Sequence, residues 1–111
     1  MVRSAMVAAV IAASTHGALA QQMSVQPSGY DGTESACRVA GLKRSGDGFL
    51  AIRTGPSSNY LKVGEVYNGD VINMRAACRG RWCFADDIYR NGRRVSLHGW
   101  FHTNWCRVFA G

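Results

Sequence analysis

The stretch Phe49–Ile72, FLAIRTGPSSNYLKVGEVYNGDVI, decides the fold class. A short alternating apolar run over Phe49–Arg53 stops at Thr54-Gly55-Pro56-Ser57-Ser58. The chain resumes at Tyr60, passes through Val63-Gly64-Glu65-Val66, breaks at Asn68-Gly69-Asp70 and becomes extended again at Val71-Ile72. Each break has a backbone cause. Gly55 tolerates positive φ, Pro56 fixes φ and offers no N–H to a ladder, and Asn68-Gly69 is a tight-hairpin signal. Short runs between such breaks are strands.

The same reading extends in both directions. Towards the N-terminus, Cys37–Leu42 forms a first strand and Lys43–Gly48 a loop rich in Gly and Ser. Further strands are expected at Phe49–Arg53, Leu61–Tyr67, Val71–Ala77, Trp82–Ile88, Arg94–Phe101 and Cys106–Phe109. Asn91-Gly92 makes a second tight turn, and Thr103-Asn104 a single 3₁₀ turn before the last strand. No helical period follows the first twenty residues, and no repeat divides the chain. The fold class is all-β, in one domain. Its core is expected from Leu50, Ile52, Val66, Ile72, Met74, Phe84, Phe101 and one or two tryptophans.

Residues 1–20 read as a signal peptide: Arg3, a run of small apolar residues over Ala5–Ala13, and the small-x-small site Ala18-Leu19-Ala20. The run is too short to span a bilayer, so no stable membrane insertion is expected. Gln21 then opens the mature chain, and residues 21–36, polar and without apolar period, form a flexible lead-in. About ninety residues remain, enough for one domain with a thin core. Without Arg3 the chain carries twelve basic and seven acidic residues, a surplus that draws it towards anionic surfaces. The expected location is periplasmic or secreted.

Leu50, Ile52, Arg53, Gly55, Pro56, Ser57, Tyr60, Gly64, Val66 and Gly69 resemble the pattern L-x-V-R-x-G-P-S-x-x-Y-x-x-x-G-x-L-x-x-G that opens bacterial SH3-like domains. Gly99-Trp100-Phe101 resembles the G-W-V that precedes their final turn. The resemblance implies a small SH3-like β-barrel over residues 37–111, acting as a non-catalytic binding module for cell-wall peptide of peptidoglycan. It also implies Tyr60, Trp82 and Trp100 as contact faces, with Arg53, Arg79 and Arg81 meeting carboxylates of the ligand. Arg53 has a second reading, as a tie between its strand and a neighbouring loop. The alternative function is a protein-interaction module, an inhibitor or assembly partner of an envelope or secreted protein.

Four cysteines, Cys37, Cys78, Cys83 and Cys106, in an exported chain favour two disulfides. A hairpin turning at Gly80-Arg81 places Cys78 opposite Cys83. The first and last strands of SH3-like barrels are neighbours, so the resemblance implies Cys37–Cys106 as the second bridge; the two other pairings stay open. Pairing Cys78 with Cys83 puts Ile72 and Met74 on the cysteine face and Phe84 on the other, unless a bulge near Ala76-Ala77 intervenes.

Three other chemistries fit these residues less well. Cys78, Cys83, His98 and His102 approach two-Cys, two-His zinc-finger spacing, but that finger needs both histidines on a helix, and His98–His102 has no helical stripe. Cys–His catalysis needs a free thiol of lowered pKa, so no enzyme and no cofactor is expected. Arginines and aromatics interleave at Arg79–Trp82 as in single-strand binders, yet export argues against nucleic acid.

Overall fold

The computed structural model describes residues 21–28, 34–43 and 45–109; the expected signal peptide lies outside them. Among these residues are β1 (Glu34–Val39), β2 (Leu50–Arg53), β3 (Lys62–Val66), β4 (Val71–Arg79), β5 (Trp82–Arg90), β6 (Arg93–Val95), β7 (Gly99–His102), a 3₁₀ turn (Thr103–Trp105) and β8 (Cys106–Phe109). The fold is all-β, and the expected turns fall between strands. Several strand boundaries differ from the sequence reading, and two of the differences have a clear local cause. β1 begins three residues before Cys37 and ends at Val39, because the chain leaves the ladder at Gly41 with φ of 86°. The single strand expected over Arg94–Phe101 is two strands, broken at Ser96-Leu97-His98, where the Leu97 N–H donates back to the Val95 carbonyl at 2.8 Å.

All pairings are antiparallel, in one sheet ordered β3-β2-β7-β5-β4-β1-β8, with β6 added to β5. One buried cluster gathers Leu50 and Val66 from one end of this path and Cys37 and Cys106 from the other, with Ile52, Ile72, Ile88 and Phe101 between them. A flat sheet cannot bring its two ends to one core. The sheet is therefore strongly curled, while its end strands β3 and β8 form no ladder with each other.

Register irregularities in the β4–β5 hairpin decide which aromatics enter that core. Met74 opposes Ala85 and Cys78 opposes Cys83, so β4 carries two more residues than β5 over this interval, at the expected bulge. Two extra residues preserve side-chain parity. Ile72, Met74, Cys83 and Ala85 consequently share the core face, and Phe84 is left on the outer face, contrary to the core assignment made from sequence. A further shift, with Asn73 opposite Asp87 but Met74 opposite Ala85, leaves Asp86 as an extra residue of β5.

Both bridges form. Cys78–Cys83 closes the hairpin across directly opposed positions with Cα atoms 4.0 Å apart. In the β1–β8 ladder Cys37 opposes Val108 and Cys106 opposes Val39, so Cys37–Cys106 runs diagonally on the core face, with a Cα separation of 5.3 Å. One staple thus joins the first strand to the last.

The polar lead-in is ordered against the outer face over residues 21–28. The Val25 N–H donates to the Thr54 carbonyl at 2.7 Å. The Gln21 carbonyl accepts from the Leu61 N–H at 3.2 Å and from Thr54 Oγ1 at 2.9 Å. Trp100 Nε1 donates to the Val25 carbonyl at 2.8 Å. This strap covers the ring of Trp100, which is fully buried yet stands outside the central cluster.

Candidate binding groove

The outer face of β5 and β7 carries an aromatic ladder. Trp82 opposes His102 and Phe84 opposes Trp100, while the alternate pairs Cys83–Phe101 and Ala85–Gly99 point into the core. The rings meet edge to face, at 5.2 Å for Trp82–His102 and 5.6 Å for Phe84–Trp100. Such pairs add about 0.5–1.5 kcal/mol each beyond burial. One half of the ladder, Phe84 and Trp100, lies beside the strap. The other half, Trp82 and His102, borders an open groove.

Local hydrogen bonds build that open half. The Arg81 carbonyl accepts from both the N–H and the hydroxyl of Thr103, each at 2.9 Å, and Arg81 Nη1 donates to Asn104 Oδ1 at 3.0 Å. His102 Nδ1 accepts from the Asn104 N–H and caps the 3₁₀ turn. The hairpin tip is thereby clasped to the turn, which brings Trp105 to the groove that Trp82 lines. On the far side the Ala40 N–H donates to the Trp105 carbonyl at 3.0 Å, and Gly41 lies so close to the indole that a Cβ there would touch it at 3.5 Å. The loop between β1 and β2 forms the opposite wall.

The resulting groove has a volume of about 450 Å³, with Phe49, Trp82 and Trp105 as its large aromatic surfaces and Lys43, Asp47 and Arg53 as its charges. Trp105 is 41% exposed. Lys62 Nζ stands 4.4 Å from the centroid of the Phe49 ring. The arrangement offers flat apolar faces with two cations, Lys43 and Arg53, and one carboxylate, Asp47, at the wall, suited to holding an extended chain that carries anionic groups.

Of the residues singled out from sequence, the structure brings Trp82 and Arg53 to this groove. Arg53 also acts as the tie that was its second reading: Nη1 donates to the Tyr60 carbonyl at 2.9 Å and holds the loop after β2. Tyr60 is half-buried, and its ring lies flat on Gly55, where a Cβ would come within 2.4 Å of Cδ1. The groove wall on that side is Ser58. Trp100 is buried under the strap and presents no face to solvent. Arg79 sits over the Trp100 ring at 5.9 Å and donates to Ser28 Oγ at 3.4 Å, so it belongs to the strapped region. Arg81 serves the hairpin clasp.

Phe49 and Trp105 were missed as groove residues. Phe49 opens the decisive stretch, and Trp105 follows the expected 3₁₀ turn at Thr103-Asn104 and ends the observed one, but only the packing of the β1–β2 loop against that turn unites them. His98 lies against Phe84, at 6.1 Å between rings, apart from His102. With Cys78 and Cys83 bridged, neither sulfur is a thiolate available to a metal. Among the described residues no group of His, Cys, Asp or Glu is placed to hold a metal ion, and no helix is long and apolar enough to cross a membrane. Searches of protein-family models, curated proteins and solved structures return no match to this chain.

Proposed function

We propose that this chain is an exported, non-catalytic binding module of the bacterial SH3-like kind, whose groove takes the peptide of peptidoglycan. The observation that carries the reading is the convergence of Phe49, Trp82 and Trp105 on one groove with Lys43 and Arg53 in its wall. Rigid aromatic faces take extended peptides at low entropy cost, and cations meet their carboxylates. The curled sheet with a 3₁₀ turn before its last strand supports an SH3-like barrel. Two disulfides support an oxidising, periplasmic or extracellular compartment. All four cysteines are bridged, which supports binding over thiol catalysis.

The test is co-sedimentation of the oxidised protein with purified sacculi. Trp82→Ala combined with Trp105→Ala lowers binding by roughly tenfold or more, the scale expected of aromatic anchors. Trp100→Phe, at a position beneath the strap, leaves it unchanged. A double variant that pellets like the wild type sinks the proposal.

A second reading, a protein-interaction module, draws on the edge strand β3. Leu61 and Val63 are exposed beside its unpaired ladder, a surface suited to another protein's strand. Wild-type protein that ignores sacculi but captures one envelope protein decides for it.

A further inference from the structure

Arg38 and Arg107 stand directly opposite each other across the β1–β8 ladder. Their chain neighbours Cys37, Val39 and Cys106 are buried in the core, so both arginines project from the outer face, and both are exposed. Opposed side chains start from Cβ atoms about 4.5–5.5 Å apart, and like charges at that distance destabilise a sheet. Among the described residues no carboxylate pairs with either arginine; the ion pairs Lys62–Glu65, Arg90–Asp70 and Arg94–Asp87 involve neither. Arg38 instead lies over the ring of Phe109, 5.2 Å from its centroid, on the same face. The next positions inward are Val71, opposite Arg38, and Tyr89, opposite Val71, neither of them a counter-charge. Two cations without a carboxylate partner among the described residues, an aromatic wall and an apolar floor are thus joined by register.

We infer that Arg38 and Arg107 form a binding site for a phosphomonoester dianion. Each guanidinium presents a fork of N–H donors, and two forks carried at opposed positions of adjacent strands can offer at least four bonds to one anion. A phosphomonoester brings three terminal oxygens and close to two negative charges near neutral pH, whereas a carboxylate brings two oxygens and one charge. The phosphate cancels the cross-strand repulsion, so binding and stability are linked. The same chemistry is found in a lipid headgroup and in a soluble phosphate, and the experiment separates them.

Thermal unfolding of the oxidised protein is measured in phosphate and in chloride at matched ionic strength. Phosphate raises the midpoint of the wild type. Arg38→Gln and Arg107→Gln each remove most of that rise, and the double variant is at least as stable as the wild type in chloride because the repulsion is gone. Arg93→Gln, an exposed charge on β6 away from the pair, keeps the full rise. In a second arm, pelleting with phosphatidic-acid vesicles but not phosphatidylcholine vesicles, lost in the double variant, assigns a lipid headgroup. A phosphate-dependent midpoint without pelleting assigns a soluble phosphomonoester. The proposal is overturned if neither phosphate nor phosphatidic acid has an effect. It is equally overturned if the effect survives in the double variant, or if Arg93→Gln abolishes it as fully.

Discussion

Arg90 grips the carboxylate of Asp70 from across the sheet, with Nη2 2.8 Å from Oδ2 and Nε 3.1 and 3.2 Å from the two oxygens. The same carboxylate accepts the Tyr67 N–H at 2.9 Å and so closes the turn at Asn68-Gly69. The Asp70 side chain is only 5% exposed, against 38% for Arg90. Removing Arg90 strands a buried charge, which costs about 3–5 kcal/mol at fully buried sites and less here because Arg90 is partly solvated. Arg90→Leu is therefore expected to lose about 2–3 kcal/mol in urea unfolding. Arg90→Leu with Asp70→Asn should lose less than the sum of the two single variants.

Glu65 links this turn to the acid side of the pH scale. Its carboxylate is held below the ordinary 4.5 first by the Lys62 hydrogen bond and then by the Tyr67 hydroxyl. A lowered folded-state pKa gives stability that is present above the unfolded value and lost as pH falls through the folded one. Tyr67 has the opposite sign: its hydrogen bond to Glu65 raises it above 10.0, so its contribution is complete below that value and is lost as pH rises through the folded pKa. In an NMR titration of the Glu65 carboxyl, Lys62→Met should move the midpoint upward. An unchanged midpoint would remove Lys62 as the main cause.

The two disulfides are expected to differ in weight. A bridge spanning 69 residues removes about 4 kcal/mol of unfolded-state entropy, and one spanning 5 about 2 kcal/mol. Replacing Cys37 and Cys106 by Ser should leave little folded protein at room temperature, since both are buried in the core as well. Replacing Cys78 and Cys83 should preserve the near-ultraviolet dichroism at reduced stability. Equal losses for the two pairs would contradict the loop-entropy argument.

Gly55 is held by Tyr60. A Cβ at position 55 would lie 2.4 to 2.5 Å from three ring atoms, so Gly55→Ala should cost about 1–3 kcal/mol as an overpacked site. If the clash is the cause, Gly55→Ala made in a Tyr60→Ala background should cost far less. Additive losses in that double-mutant cycle would place the cause in the backbone instead.

Removal of residues 21–28 should uncover Trp100. Its indole N–H loses the Val25 carbonyl, and its emission should shift to the red and become quenchable by acrylamide. The same truncation in Trp100→Phe should show no such change, which assigns the signal to this ring. A truncated protein with unaltered emission would mean that Phe84 and Arg79 alone bury it.

Much of this architecture was legible because its causes are local. Pro56, Asn68-Gly69 and Asn91-Gly92 stop strands through their own backbone preferences, and the Cys78–Cys83 bridge needs only a two-residue turn between its cysteines. The parity conflict around Ala76-Ala77 was visible from counting alone, and the bulge stands there. Phe84 was misassigned because parity depends on whether one residue or two are inserted, and pairing with β5 settles that. The groove was half legible: Trp82 and Arg53 carry a sequence signature, whereas Phe49 and Trp105 become partners only when a loop folds over a turn more than fifty residues away.

By itself, then, the sequence determined the all-β class, the turn positions and the four cysteines, since these follow from φ preferences, side-chain alternation and thiol content. Tertiary structure alone decided that a polar segment covers Trp100, that the sheet curls without closing, and that Arg38 faces Arg107. Each of these depends on which distant strands become neighbours, and on what one side chain leaves for another to cover.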